Sequence, residues 1–322
     1  MIRFFILLTA FAVSPRVLGV EPELPVPDAL EPWIPWVLAE DDRRNCPLMG
    51  SEGERSCAWP GRLALDLDRT GGRFTQRWRL YARGLVPLPV ASDQWPEQVR
   101  VGDAPVAVVE HKGAPAVRLD AGEHALSGRF NWRRMPDGLA IPPATGLLAL
   151  RLEGESIRFP HFERSGRLWL GAGAGAAVGA AAEWDSLGLL VYRWIEDDNP
   201  LRVITRLELD VAGRAREIIL DSVLPRDGIP LGLDSPLPAR LEADGRLRLQ
   251  IQPGHWALTV TAHHPGPVAE LALGAAGPPW PTEEVWVFAA TRSCARWSLR
   301  GRSRSIRGRP DCRPSGRGCL PI

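Results

Sequence analysis

Several things are scarce in this chain, and each scarcity excludes something. Lysine occurs once, as Lys112, among 39 basic residues, so the basic charge is almost entirely arginine. That skew fits GC-rich coding, because arginine codons are mostly GC-rich and lysine codons are not. Histidine occurs six times, at His111, His124, His161, His255 and the pair His263–His264. No H-E-x-x-H, G-x-S-x-G or Walker loop appears, which removes the local signatures of zinc hydrolases, α/β-hydrolases and P-loop nucleotide binders. No C-x-x-C pair or Cys/His cluster is present to suggest zinc. Long apolar runs are missing too. The one extended run, Phe4 to Val13, is shorter than the roughly 20 residues a membrane helix needs. No transmembrane helix is therefore expected after it.

The run Phe4 to Val13 follows Arg3 and precedes the small residues Val17 and Gly19, the order of a secretory signal with cleavage after residue 19. Residues 20–60 read as an extended, proline-rich lead-in with at most one short helix near Ala29 to Leu38. It contains "CPLMGSEGERSC", in which Cys46 and Cys57 flank a polar Gly/Ser loop. In an oxidising compartment that spacing suits a local disulfide. Closing such a loop contributes about 3 kcal/mol on the chain-entropy account.

Glycine and proline number 32 and 31 in 322 residues, which favours short strands joined by turns. From Gly61 onward the pattern has period two, as in "RLALDLD" at Arg62–Asp68 and "RLRLQIQ" at Arg246–Gln252. Such alternation predicts strands with one buried and one wet face. Landmarks also recur in order: "RLALDL" and "RLELDV" from Arg62 and Arg206, then Gly72-Arg73 and Gly213-Arg214, then Val86-Pro87-Leu88 and Ile229-Pro230-Leu231. The last is a Gly-x-x-Ala-Leu entry at Gly122 and Gly254. These predict a mainly β fold with little helix, built as two related β-sandwich domains in tandem, Ig-like or jelly-roll-like. The first spans 61–155 and the second 201–289; 156–200 is a connector of hairpins with a Gly/Ala loop, and "EDDNP" from Glu196 is a hairpin turn.

Candidate sites are few. "GAGAGAAVGA" from Gly171 formally matches a dinucleotide fingerprint, but strands and hairpins follow it instead of a βαβ crossover, so no nucleotide and no cofactor is expected. The acidic run Glu196-Asp197-Asp198 lacks the rest of a calcium loop. Neighbouring strand residues point to opposite faces, so neither His263–His264 nor Glu283–Glu284 forms a chelating or acid–base pair unaided. Neither a metal site nor a catalytic residue is assigned. Thirteen tryptophans against two tyrosines leave one binding option, stacking on sugar rings. The candidates near loops or strand ends are Trp95, Trp132, Trp169, Trp256 and Trp280, whereas Trp78 and Trp286 read as core.

The chain ends differently from how it runs. Residues 291–322 hold nine arginines and one acid, net +8, while the 290 residues before them hold 30 basic and 37 acidic residues. An arm of this kind would bind polyanions in a salt-dependent way. Alternation also stops abruptly after "EEVWVFAA", and the Arg/Ser/Gly/Pro/Cys composition beyond residue 290 is what a shifted reading frame in a GC-rich gene produces. The runs "EPWIPWVL", "CAWPGRL", "GRFTQRW" and "DSPLPARLE…DGRLRLQIQPGHW" resemble the N-terminal region of long, uncharacterised exported β-rich proteins of Gram-negative bacteria. The resemblance covers most of residues 31 to 288 and implies no activity and no catalytic residues. The expectation is a non-enzymatic exported scaffold, adhesion or interaction module of the periplasm, outer envelope or exterior, or a truncated fragment of a longer protein. Its partner would be an envelope protein or glycan. A carbohydrate-binding protein using exposed tryptophans is the alternative, and a hydrolase with sandwich accessory domains is the second.

Overall fold

The computed structural model describes residues 27–37, 46–50, 55–91, 94–162, 166–171, 184–266, 268, 270–272 and 277–290. The segment read as a secretory signal, the Gly/Ala run after Gly171 and the arginine-rich end lie outside these residues. The chain divides into two units at Asp41–Asp42. Within the first, a 3-10 turn at Glu31–Trp33 leads into α1 (Ile34–Val37), with Trp33 and Trp36 edge to face at 6.1 Å. This matches the single short helix expected there.

The second unit is nearly all strand. Its first half contains β1 (Ala58–Asp68), β2 (Gly71–Leu80), β3 (Gly84–Pro87), β4 (Val90–Ala91), β5 (Glu97–Val101), β6 (Ala104–Pro105), β7 (Val109–His111), β8 (Ala114–Leu119), β9 (Gly122–Asn131), β10 (Gly138–Ala140), β11 (Leu148–Leu152), β12 (Glu155–Ile157) and β13 (Arg167–Trp169). Its second half contains β14 (Ser186–Asp197), β15 (Arg202–Ala212), β16 (Arg216–Leu220), β17 (Ile229–Asp234), β18 (Ala239–Leu241), β19 (Leu247–Ile251), β20 (Gly254–His263) and β21 (Val285–Ala290). The strands are short or strictly alternating because few stretches are apolar on both faces. In β2 every second residue from Phe74 to Leu80 is buried, and in β15 every second residue from Val203 to Val211.

The sheets repeat a topology. In the first half the order β12-β11-β1-β2-β9-β5-β6 lies over β3-β8-β7 and β13-β10-β4. In the second, β17-β20-β15-β14-β21 lies over β16-β19-β18. Each of the eight later strands has a counterpart: β14 matches β1, β15 matches β2, β16 matches β3, β17 matches β5, β18 matches β7, β19 matches β8, β20 matches β9 and β21 matches β11. Senses agree as well. β11 is parallel to β1 and β21 parallel to β14, while β1–β2, β2–β9, β14–β15 and β15–β20 are antiparallel. Each large sheet shares one hydrophobic cluster with its small sheets. Leu63, Phe74, Val117, Leu139 and Leu168 belong to the first, and Leu207, Leu220, Leu241, Leu249 and Leu258 to the second.

The repeat is thus a repeat of topology, and the sequence landmarks capture only part of it. Gly122 and Gly254 open matching strands, with φ of 134° and 137°, a region where a Cβ is disfavoured. But "RLALDL" lies in β1 and "RLELDV" in β15, the counterpart of β2. Likewise Val86-Pro87 lies in β3 of a small sheet, and Ile229-Pro230 in β17 at the edge of a large one. The landmarks before Gly122 are one strand or more out of step, because alternation specifies a buried face and says nothing about a strand's place in its sheet. The same limit misplaced a boundary. Ser186–Asp197, read as connector, pairs with β15 along eleven residue pairs and is an interior strand of the second large sheet.

The two halves are joined through buried polar groups. Gln250, fully buried, donates to the Pro60 carbonyl at 2.7 Å and accepts from the Gly146 amide at 3.1 Å. Gln252 donates to the Gly146 carbonyl at 3.0 Å. The Arg240 guanidinium, on β18, lies over the rings of Trp59 and Tyr81 from the first half, at 4.9 and 5.6 Å. The Cys46–Cys57 disulfide is formed, and Leu48 in its loop belongs to the second half's core.

Candidate binding groove

Charged side chains in this fold have one of two fates, and the division locates the site. Some are locked inside. Arg193 projects inward from β14 and its five donors are all engaged. It donates twice to Glu284, at 2.7 and 3.2 Å, once to Thr205 Oγ1 at 3.1 Å, and to the Ser222 and Val223 carbonyls at 2.5 and 3.3 Å. The Glu284 carboxylate, with no exposed side-chain surface, also accepts from Trp280 Nε1 at 2.9 Å and Trp286 Nε1 at 2.6 Å. A buried pair this completely bonded is a structural device, with no lone pair left for chemistry. At the junction Glu242 accepts from Arg240 at 2.5 Å and from Arg248 at 2.8 Å, and Arg248 also holds Glu217 at 2.5 Å. Burial pushes the Glu242 carboxyl up, but its bonds to Arg248 and Arg240 outweigh that and leave it below its ordinary value.

Other cations face outward. Alternation along β2 puts Arg73, Thr75, Arg77 and Arg79 on the outer face of the seven-stranded sheet. Arg73 pairs with Asp66 at 3.3 Å and Arg79 with Glu123 at 3.4 Å. Arg77, between them, has no acidic partner among the described residues. Small residues lie opposite this stretch: Ala125 faces Arg77 and Ser127 faces Thr75 across the β2–β9 ladder. On the other side the β1–β2 register slips between Pro60 and Leu63, which places Gly61 and Arg62 in a bulge. A Cβ at Gly61 would stand 3.1 Å from the Arg77 carbonyl oxygen, tighter than ordinary contact. Small residues and a bulge therefore leave an open groove of about 660 Å³ on this face. Arg62, Thr75, Arg77 and Ser127 line it, and Glu217 enters from the second half. Gln76 also borders it, but its side chain is 2% exposed and alternates to the inner face of β2, where Nε2 donates to the Gly61 carbonyl and to Thr145 Oγ1.

A second cavity, about 570 Å³, lies at the end of the second half's core. Ile195, Val203, Leu224 and Leu271 line it together with Asp227, Glu270 and His264. Of its two arginines, Arg193 is the saturated one and Arg226 pairs with Asp227 at 3.8 Å. Among the described residues no three His, Cys, Asp or Glu side chains are grouped closely enough to hold a metal ion. No helix among them is long and apolar enough to cross a membrane.

The sequence-chosen tryptophans are dispersed. Trp132 is buried, stacks on Phe130 at 5.6 Å and donates to the Asp68 carbonyl. Trp280 is buried on Glu284. Neither can offer a ring face to a ligand, because burying the indole against the core gains more than a strand-end position suggests. Trp169 is half-buried, and Trp256 is half-buried with its N–H on the Gln252 carbonyl. Of the five, Trp95 alone is exposed. The reading missed Trp184 and Trp194, both exposed. Trp194 shares the outer face of β14 with Leu190 and Tyr192, which plain alternation in "LGLLVYRW" indicates once that segment is taken as a two-faced strand. The predicted turn falls on Asp198–Leu201, between β14 and β15, while Glu196 and Asp197 are the last residues of β14.

No protein-family model matches the chain, and no protein with a curated description matches it. Among solved structures, a protein of unknown function from Porphyromonas gingivalis is similar at 14% identity, over 64% of this chain and 83% of that one, with a TM-score of 0.14.

Proposed function

We propose that this chain is a non-enzymatic interaction module of an exported, envelope or secreted protein, or the N-terminal piece of a longer one. One observation carries the reading. The buried charges Arg193, Glu284, Arg240 and Glu242 are engaged in holding the fold, whereas Arg62 and Arg77 lie in an open groove without an acidic partner among the described residues. Chemistry available to a partner is therefore surface recognition. The test immobilises the full chain and an Arg62→Gln/Arg77→Gln variant, applies envelope extract, and assays a panel of glycosides and esters in parallel. The expected result is a component retained by the wild type and lost from the variant, with hydrolysis at background. Measurable turnover, or equal retention by both proteins, overturns the reading.

A second reading, glycan stacking on tryptophan, is favoured by the Leu190–Tyr192–Trp194 strip on the outer face of β14. A fluorescence titration of Trp194→Ala against the wild type, using neutral oligosaccharides, decides it. Identical responses remove it.

A further inference from the structure

We propose that the groove on the first large sheet takes an acidic polysaccharide, a hydroxyl-bearing chain with spaced carboxylates or sulfates. This rests on the interaction-module reading and names its ligand. Two features of the groove specify the chemistry. Arg62 and Arg77 supply two cations, and the acid that lines the groove with them, Glu217, is held by Arg248 at 2.5 Å, so the groove asks for negative charge. Among the described residues Arg62 donates only to the Ala215 carbonyl, at 3.4 Å, and the Arg77 guanidinium has no hydrogen-bond or acidic partner. Thr75 and Ser127 add hydroxyls that donate or accept. A ligand that satisfies the site must bring acids and also groups that hydrogen-bond with hydroxyls. A chain of acidic sugars does both, with ring hydroxyls beside each carboxylate or sulfate.

The same features disfavour nucleic acid. Among the described residues no aromatic side chain lines the groove for a base to stack on, and single-strand binding sites depend on such platforms. The small residues Gly61, Gly102 and Ala125 give a low floor instead, over which a ribbon-like chain can lie. The groove also runs to the junction of the halves, where Gln250 and Arg240 hold Glu217's strand in register with the first sheet. Its two sides are thereby fixed before a ligand arrives, which lowers the ordering cost of binding.

Calorimetric titration of the full chain with polygalacturonate, dextran sulfate, neutral dextran and double-stranded DNA tests this. Either or both acidic polysaccharides should bind, and neutral dextran should not; which of the two binds tells carboxylate from sulfate. Arg62→Gln and Arg77→Gln should each weaken binding roughly tenfold, with an unchanged melting temperature. Arg226→Gln, an exposed arginine of the second half, should leave it unchanged. The slope of log affinity against log salt should be shallow, of about two ionic contacts. A steep slope that survives both groove substitutions would assign binding to the nine arginines beyond residue 290 and overturn the proposal. DNA binding that depends on the groove arginines, or neutral dextran binding as well as the acidic polymers, overturns it too. If the polysaccharides fail while an extract component still needs Arg62 and Arg77, this inference falls and the interaction module stands.

Discussion

The two halves of the second unit put different chemistry into the same frame. In the first, Leu65 on β1 faces Phe74 on β2 and Leu150 on β11, and Phe74 faces Gly128 on β9. In the second, the matching positions are Arg193 on β14, Thr205 on β15, Trp286 on β21 and Val260 on β20. The cross of four positions is apolar in one half, and in the other it holds Arg193, whose ion pair is with Glu284 just outside the cross. The first solution gains directly from area removed from water. The second must repay the desolvation of two ions, which it does only because every donor of Arg193 and both oxygens of Glu284 are matched. The frame depends on where side chains point and how strands pair, and it tolerates either filling. The outer faces differ in the same manner: arginines and hydroxyls over β2, and Leu190, Tyr192 and Trp194 over β14.

The largest test removes one partner of the second solution. Glu284→Leu leaves Arg193 charged and buried without its carboxylate, and should cost about 3–5 kcal/mol in urea unfolding. Arg193→Leu/Glu284→Leu, which removes both buried charges and puts the first half's leucine at the Arg193 position, should recover much of that loss. A double variant no more stable than the single one would show that the two frames are not interchangeable. Next comes Gly128→Val, which carries the second half's Val260 into the first. An added Cβ stands 2.5 Å from the Phe74 ring, so overpacking should cost about 1–3 kcal/mol. The reverse change, Val260→Gly, should instead leave a cavity beside Thr205 and lower the melting temperature by loss of packing.

A smaller effect is expected at the β15–β16 turn. Gly213 has φ of 87°, and Asp185 crowds any Cβ there. Gly213→Ala should destabilise by about 1–2 kcal/mol, with the turn's amides exchanging faster. The smallest effect is in pH. Hydrogen bonds from Arg214 hold the exposed Asp185 carboxyl at about 2, below its ordinary 3.8. A carboxylate depressed in the folded state adds stability above its unfolded value and loses it as pH falls toward the folded one. Asp185→Asn and the wild type should therefore differ at neutral pH and converge between about pH 4 and 2. Curves that stay parallel through that range would show that the clamp contributes nothing.

Much of the scaffold is legible in the chain. Alternation in "RLALDLD" and "RLRLQIQ" marks two-faced strands, and the polar loop between Cys46 and Cys57 marks the disulfide. Gly122 and Gly254 mark matching strand entries. The groove is less legible. "GRFTQRWRL" shows arginines on alternate positions, but not that Arg77 lacks the acid its neighbours have, since Asp66 and Glu123 arrive from other strands. Nor does a Glu-Glu dipeptide announce that Glu284 meets Arg193 from 91 positions away.

By itself, then, the sequence determined a mainly β chain, the faces of its strands and a local disulfide, because each follows from steric and solvation preferences acting over a few residues. Only the tertiary structure decided which strands are neighbours, which of the tryptophans are core, and which arginines keep their charge available. Those outcomes depend on contacts between distant segments, where one register shift at Gly61 or one ladder partner sets whether a charge is buried, paired or left in an open groove.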